Sequence, residues 1–183
     1  MGIMDVLKRW STPRNLLLSV IGSVVIIALM GYGLQTLVYN VYGHYTMPDT
    51  RFGYTFEEIQ TVFNGIGSEG LQVWTMVHLL DYFFPLVYCF AMIFALGLQL
   101  KKLNAFDGTY NKVLFLPIFG CVTDYAENLL VQSQVLTYPN LSALVITIAS
   151  YVTLLKWILL ALGFGVIIIL LLLIIVRRYS VKA

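Results

Sequence analysis

Four long apolar runs, separated by short polar segments, set the pattern of this chain. They extend from about Asn15 to Val41, Leu71 to Leu100, Lys112 to Gln134 and Ser142 to Val176. A bilayer core of about 30 Å needs roughly 20 apolar residues in helical form, and each run is long enough. The pattern predicts an all-α, polytopic integral membrane protein: a four-transmembrane-helix bundle forming a single domain over residues 1–183. Lys8, Arg9 and Arg14 precede the first run, as they would a signal peptide. The run nevertheless exceeds the about 7–15 residues of a signal-peptide core and lacks a small-residue cleavage site. It is expected to be a retained anchor.

The longest polar stretch, residues 42–70, has a pattern of its own. Thr55 followed three residues later by Glu58 forms a capping box, and Phe56, Ile59, Val62 and Phe63 follow at helical spacing. A short amphipathic helix is expected over about 56–64, ended by Gly65. Its apolar face would lie on the bundle or the outer membrane surface, as a plain cover for the helix ends or as a gate over a cavity.

Composition removes the soluble alternative. Charged residues make up 11% of the chain and mean hydropathy is +0.86, whereas soluble domains carry about 25% charged residues. The placement of charge is more informative than its sum. Lys8, Arg9, Arg14, Lys101, Lys102, Lys112, Arg177, Arg178 and Lys182 fall on one side of a four-pass topology, nine of the 11 basic residues. The positive-inside rule then puts both termini in the cytoplasm. Arg51 and Lys156 are the exceptions. No nucleotide loop, nucleophile elbow or nucleic-acid patch occurs, and Cys89 and Cys121 read as small apolar residues inside helices.

Against this background "TDYAENLL", residues 123–130, stands out. Asp124, Glu127 and Asn128 fall at i, i+3 and i+4, on one helical face, and His78, Asp81 and Pro85 make a similar stripe in the second run. At 1.5 Å per residue, Asp81 lies about 30 Å along its helix from Lys101, and Lys156 about 32 Å from Arg177. By the same rise Asp124 and Glu127 lie about 18 and 22 Å from Lys112. The ionisable groups therefore converge on the half of the bundle away from the basic anchors. A charge at a transmembrane helix centre costs at least about 2.5–3.5 kcal/mol, so these side chains are expected to face inward and find partners. Asp81, Asp124, Glu127 and Lys156 are the candidate acid–base residues. His78, Asn128, Gln35 and Arg51 are the candidate binding residues, with the helix over 56–64 as cover. Three carboxylates against one ammonium leave a formal surplus that a protonated carboxyl or a cation would neutralise.

Four readings fit that cluster. It could be a polar network that fixes helix register, with Lys156 bridging Asp81 and Glu127. It could be an acid–base site for a lipid or small apolar molecule, or a substrate or ion pathway, which an inner half without polar stepping stones disfavours. It could hold a single cation, since two His/Asp and Asp/Glu pairs at i, i+3 imitate the helix pairs of bundle metal sites, although the chain has only two histidines. No other cofactor is expected. Expected partners are membrane lipid, a lipid-like ligand, a second copy or a partner membrane subunit, and no nucleic acid. At "MPDTRFGY", "HLLDYFFPLVY", "TDYAENLL" and "TLLKW" the chain resembles a group of small four-pass membrane proteins of unassigned function, a resemblance that spans most of the sequence and implies no activity. Its general form is also similar to sterol-isomerase-like and sigma-2-receptor-like proteins, from which no residue role is transferred.

Overall fold

The computed structural model describes residues 2–45 and 47–180; Lys182, counted above among the basic residues, lies outside them. The chain is 86% helical, with no strand among the described residues. A short helix α1 (Ile3–Trp10) comes first. Helix α2 (Pro13–Gly33) continues through a π-helical segment, Leu34–Tyr39, into α3 (Asn40–Tyr42). Helix α4 (Phe56–His78) passes through a 3-10 turn, Leu79–Tyr82, into α5 (Phe84–Lys102). Helices α6 (Phe115–Thr137) and α7 (Ala143–Ser180) complete the order. Four spans are long and apolar enough to cross a membrane: Pro13–Tyr42, Phe56–Lys102, Thr109–Thr137 and Ala143–Ser180.

The capping box forms. Thr55 Oγ1 accepts from the Glu58 amide at 3.2 Å, and the Glu58 carboxylate accepts from the Thr55 amide at 2.7 Å. The helix it starts does not stop at Gly65, and the second span does not begin at Leu71. The chain stays helical to Gly67, whose φ of 71° and ψ of 173° break it. Such a conformation is essentially restricted to glycine. A single broken element therefore runs from Phe56 to Lys102, its first arm folded over the bundle and its second arm descending into it.

The next break has another cause. Pro85 has no amide proton, so the carbonyl of Asp81, four residues earlier, loses its helical donor. The helix tightens into a 3-10 turn at this point. Asn128 Nδ2 donates to the Asp81 carbonyl at 3.4 Å, and the Tyr125 hydroxyl donates to the Tyr82 carbonyl at 2.7 Å. Both donors belong to "TDYAENLL". A backbone flaw in one helix and a polar face on the next are thus two halves of one arrangement.

Helix α7 packs along α6, α2 packs along α5, and α5 contacts both α6 and α7. Among the described residues α2 and α7 form no such pairing, so the bundle is open along that seam. Two apolar cores fill it. One contains Phe63, Leu71, Trp74, Val131 and Ile146; the other contains Met92, Leu96, Leu100, Phe106 and Leu114. Between them, on three of the spans, fall most of the buried polar residues: His78 and Asp81; Asp124, Glu127 and Asn128; Thr153 and Lys156.

The basic residues gather at the far end of the second core. Lys8 and Asp107 form an ion pair at 2.5 Å, Lys101 Nζ donates to the Ser11 carbonyl at 2.7 Å, and Arg177 donates to the Leu103 carbonyl at 3.4 Å. These contacts tie α1, the turn after α5 and the end of α7 together. Gly97 permits the docking, because a Cβ there would lie 2.0 Å from Ser11 Oγ.

Candidate functional site

Six of the eight candidate residues meet in the polar belt. His78, Asp81, Asp124, Glu127, Asn128 and Lys156 are all no more than 5% exposed. The Lys156 ammonium pairs with Glu127 Oε2 and lies 3.6 Å from Asp124 Oδ1. It therefore reaches both carboxylates of α6, where the sequence suggested a bridge from Asp81 to Glu127. Glu127 is fully enclosed, and its other oxygen accepts from Thr153 Oγ1 at 2.6 Å. The Tyr88 hydroxyl donates to Asp124 Oδ2 at 2.9 Å. His78 Nε2 lies 3.7 Å from Asp81 Oδ2, its Nδ1 is 3.1 Å from Gln132 Oε1, and its ring stacks on Trp74 at 4.3 Å.

The belt is enclosed on one side and open on the other. A cavity of about 430 Å³ reaches Asp81, Asp124 and Lys156 from the seam between α2 and α7. Its remaining wall is mostly apolar, with Ile27, Met30 and Leu34 from α2 and its continuation, Phe84 from α5, and Trp157 and Leu160 from α7. Glu127, Asn128 and His78 do not line it and stand behind the three residues that do. The belt thus divides into an enclosed inner layer and a layer facing the cavity.

Two candidates lie elsewhere. Gln35 is exposed, and its amide donates to Asn40 Oδ1 at 2.8 Å. Its height along the first run matches the belt, but height does not fix which face of the helix a residue occupies. Arg51 does not reach a buried carboxylate. Its guanidinium lies 3.2 Å from Glu58, at the capped start of α4. What Arg51 brings to the site is its backbone: its carbonyl accepts from Trp157 Nε1 at 2.8 Å.

The cover also differs from expectation. The first arm of α4 buries Ile59, Val62, Phe63 and Ile66, and Ile59 and Phe63 face Val131, Ile146 and Ala149 of α6 and α7. It roofs the apolar core rather than the cavity. The cavity is capped by the turn Pro48–Thr50. The segment that follows is fastened to α7 through Trp157 and through Ser150, which accepts from the Tyr54 amide at 2.9 Å.

Tyr88, Thr153, Gln132 and Trp157 take part in the site without having been singled out in the sequence. Tyr88 falls seven residues after Asp81 and Thr153 three before Lys156, so each shares a helical face with a candidate. Chemically, the cavity wall places a carboxylate held by a hydroxyl and an ammonium beside an otherwise apolar space. Such a pair can accept a proton from a bound molecule and return one. Among the described residues no group of three or more His, Cys, Asp or Glu side chains is arranged to hold a metal ion. No family model matches the chain, and comparison with curated proteins and with solved structures gives no match.

Proposed function

We propose that this chain is a multi-pass membrane protein that binds a lipid or small apolar molecule in the half of the bundle away from its basic end and can process it by acid–base chemistry. The observation that carries this reading is the cavity of about 430 Å³, mostly apolar, with Asp81, Asp124 and Lys156 entering its wall. Ligand sites are generally concave, mostly apolar and marked by a few placed polar groups. Ionisable residues within membrane spans are functional candidates by default. Asp124 would act as the base, oriented by Tyr88 and Lys156, with Asp81 opposite it as a second proton acceptor. The basic clusters at one end support a cytoplasmic location for both termini by the positive-inside rule.

The test is retention of a native molecule. Protein extracted under mild conditions should carry a ligand that mass spectrometry detects, and Gly31→Phe should lose it. Gly31 lines the cavity, and a Cβ there meets nothing within 4 Å, so the new ring can enter the cavity without disturbing the ion pairs. Asp124→Asn should stop any conversion. Equal ligand content in wild type and Gly31→Phe would refute the reading.

A second reading, a non-catalytic subunit of a membrane complex, draws on the exposed flanks of α2 and α7. Only 6% of the most apolar window in each is buried, against 50% and 39% in the other two spans. Chemical cross-linking in native membranes that yields one stoichiometric partner on those flanks would favour it.

A further inference from the structure

The cavity does not end at its polar wall. A second cavity of about 330 Å³ continues along the same seam toward the basic end. The two share Ile27, Phe84 and Tyr88. The second is lined by apolar side chains such as Val20, Met92, Phe164 and Ile167, with Ser23 the exception. From Lys156 to Ile167 the seam descends about 16 Å at 1.5 Å per residue, close to half of a bilayer core of about 30 Å. The shape is a charged pocket leading into an apolar trough one leaflet deep.

Resting on the ligand-binding reading above, we propose that the seam takes a single-chain amphiphile with a cationic amine head, the head beside Asp81 and Asp124 and the chain along the trough. Charge decides the head. Asp81, Asp124 and Glu127 carry three formal negative charges against the one positive charge of Lys156, and even a protonated His78 leaves one in excess. The Lys156 ammonium is already engaged by Glu127 and Asp124. An anionic head would therefore meet two carboxylates at the wall and a cation committed elsewhere. An ammonium would find the missing positive charge, and the rings of Tyr88 and Trp157 in the same wall add cation–π attraction. Trp157 already holds one cation, Lys156 Nζ, 5.4 Å from its ring centre. The trough decides the tail. Its mostly apolar lining gives polar groups few partners and offers an alkyl chain contact on three helices, α2, α5 and α7.

The experiment compares dodecylamine, dodecanol and dodecanoate as competitors of a fluorescent dodecyl probe bound to the full chain in phosphatidylcholine nanodiscs, with empty nanodiscs as baseline. Hydrogen bonds to a charged group are worth about 1.5–3 kcal/mol, so the amine should compete about tenfold or more better than the alcohol, and dodecanoate worst. Asp124→Asn should reduce the amine's advantage several-fold; if that variant does not fold, Asp81→Asn serves, because it also discharges the wall. Gly31→Phe should abolish specific binding of all three. Equal competition by amine and alcohol, both lost in Gly31→Phe, would overturn the amine head and leave ligand binding in the cavity standing. Dodecanoate competing best would overturn the charge argument in the same way. No specific binding by any of the three, in wild type and variant alike, would overturn the inference and the ligand-binding reading together.

Discussion

Lys156 and Glu127 are joined in an ion pair of which the cavity touches only one member. Lys156 lines the open layer, while Glu127 is fully enclosed behind it and held from the other side by Thr153. The pair links the wall of the cavity to the packing of the core. Lys156→Met leaves a buried carboxylate without its cation, which costs about 3–5 kcal/mol. Adding Glu127→Gln should recover a large part of that loss. Unfolding of the two single variants and the double variant in one detergent measures the coupling, and strict additivity would show that the pair is not energetically linked.

Thr153 should be the most sensitive neutral position in the belt. Its hydroxyl donates to Glu127 and shares a 3.3 Å hydrogen bond with the Tyr54 hydroxyl. Thr153→Val keeps the shape and removes the donor. It should cost about 1–3 kcal/mol, as expected when a buried acceptor loses its partner. In the Glu127→Gln background the cost should shrink, because the side chain it served is no longer charged.

Two glycines should resist alanine for different reasons. Gly67→Ala forces a side chain into a backbone conformation at φ 71° and should lower stability by about 1–3 kcal/mol. Gly97→Ala meets no backbone penalty but collides with Ser11. It should detach α1 from α5 while the rest of the bundle persists. Limited proteolysis checks this: cleavage between residues 10 and 15 should accelerate in Gly97→Ala and not in Gly67→Ala.

Cys89 of α5 and Cys121 of α6 are both buried, as free thiols, in the same core cluster. A copper–phenanthroline oxidant, which accepts the two electrons, should therefore join them in a disulfide. Titration of thiols after unfolding should fall from two to zero per chain. Two persisting thiols after prolonged oxidation would contradict their proximity.

The proposed topology is testable in a Cys89→Ala/Cys121→Ala background. Gln60→Cys, on the exposed side of the first arm of α4, should react with a membrane-impermeant maleimide from outside intact cells. Thr109→Cys, exposed beside the basic cluster, should react only after permeabilisation. The reverse pattern would invert the protein in the membrane.

The residues whose helical face decides their position were legible from spacing alone. Asp124, Glu127 and Asn128 share a face because α6 is a regular helix from Phe115 onward, and counting by 3.6 works there. Gln35 was misplaced because it was chosen by its height along the helix, and with no charged neighbour at helical spacing that height leaves its face open. The break at Gly67 rather than Gly65 has the same character: two glycines two residues apart are locally equivalent, and tertiary packing selects between them. Helix α1 was overlooked because eight residues are too few to show a long apolar run, and what holds it is a docking contact with Gly97 distant in sequence. Which segment would cap the cavity was also beyond spacing. It depends on Trp157 and Ser150 capturing a loop about 100 residues away.

The unpaired seam between α2 and α7 changes what concentration means for this protein. A ligand of the proposed kind would arrive laterally through that seam, from a two-dimensional solvent, and its occupancy would follow its mole fraction among neighbouring lipids instead of its total amount per volume. At a fixed total amount of ligand, adding inert phosphatidylcholine lowers its mole fraction in the bilayer and should empty the site, although the total concentration per volume stays the same. Two membranes of different composition would then set different degrees of saturation for the same chain.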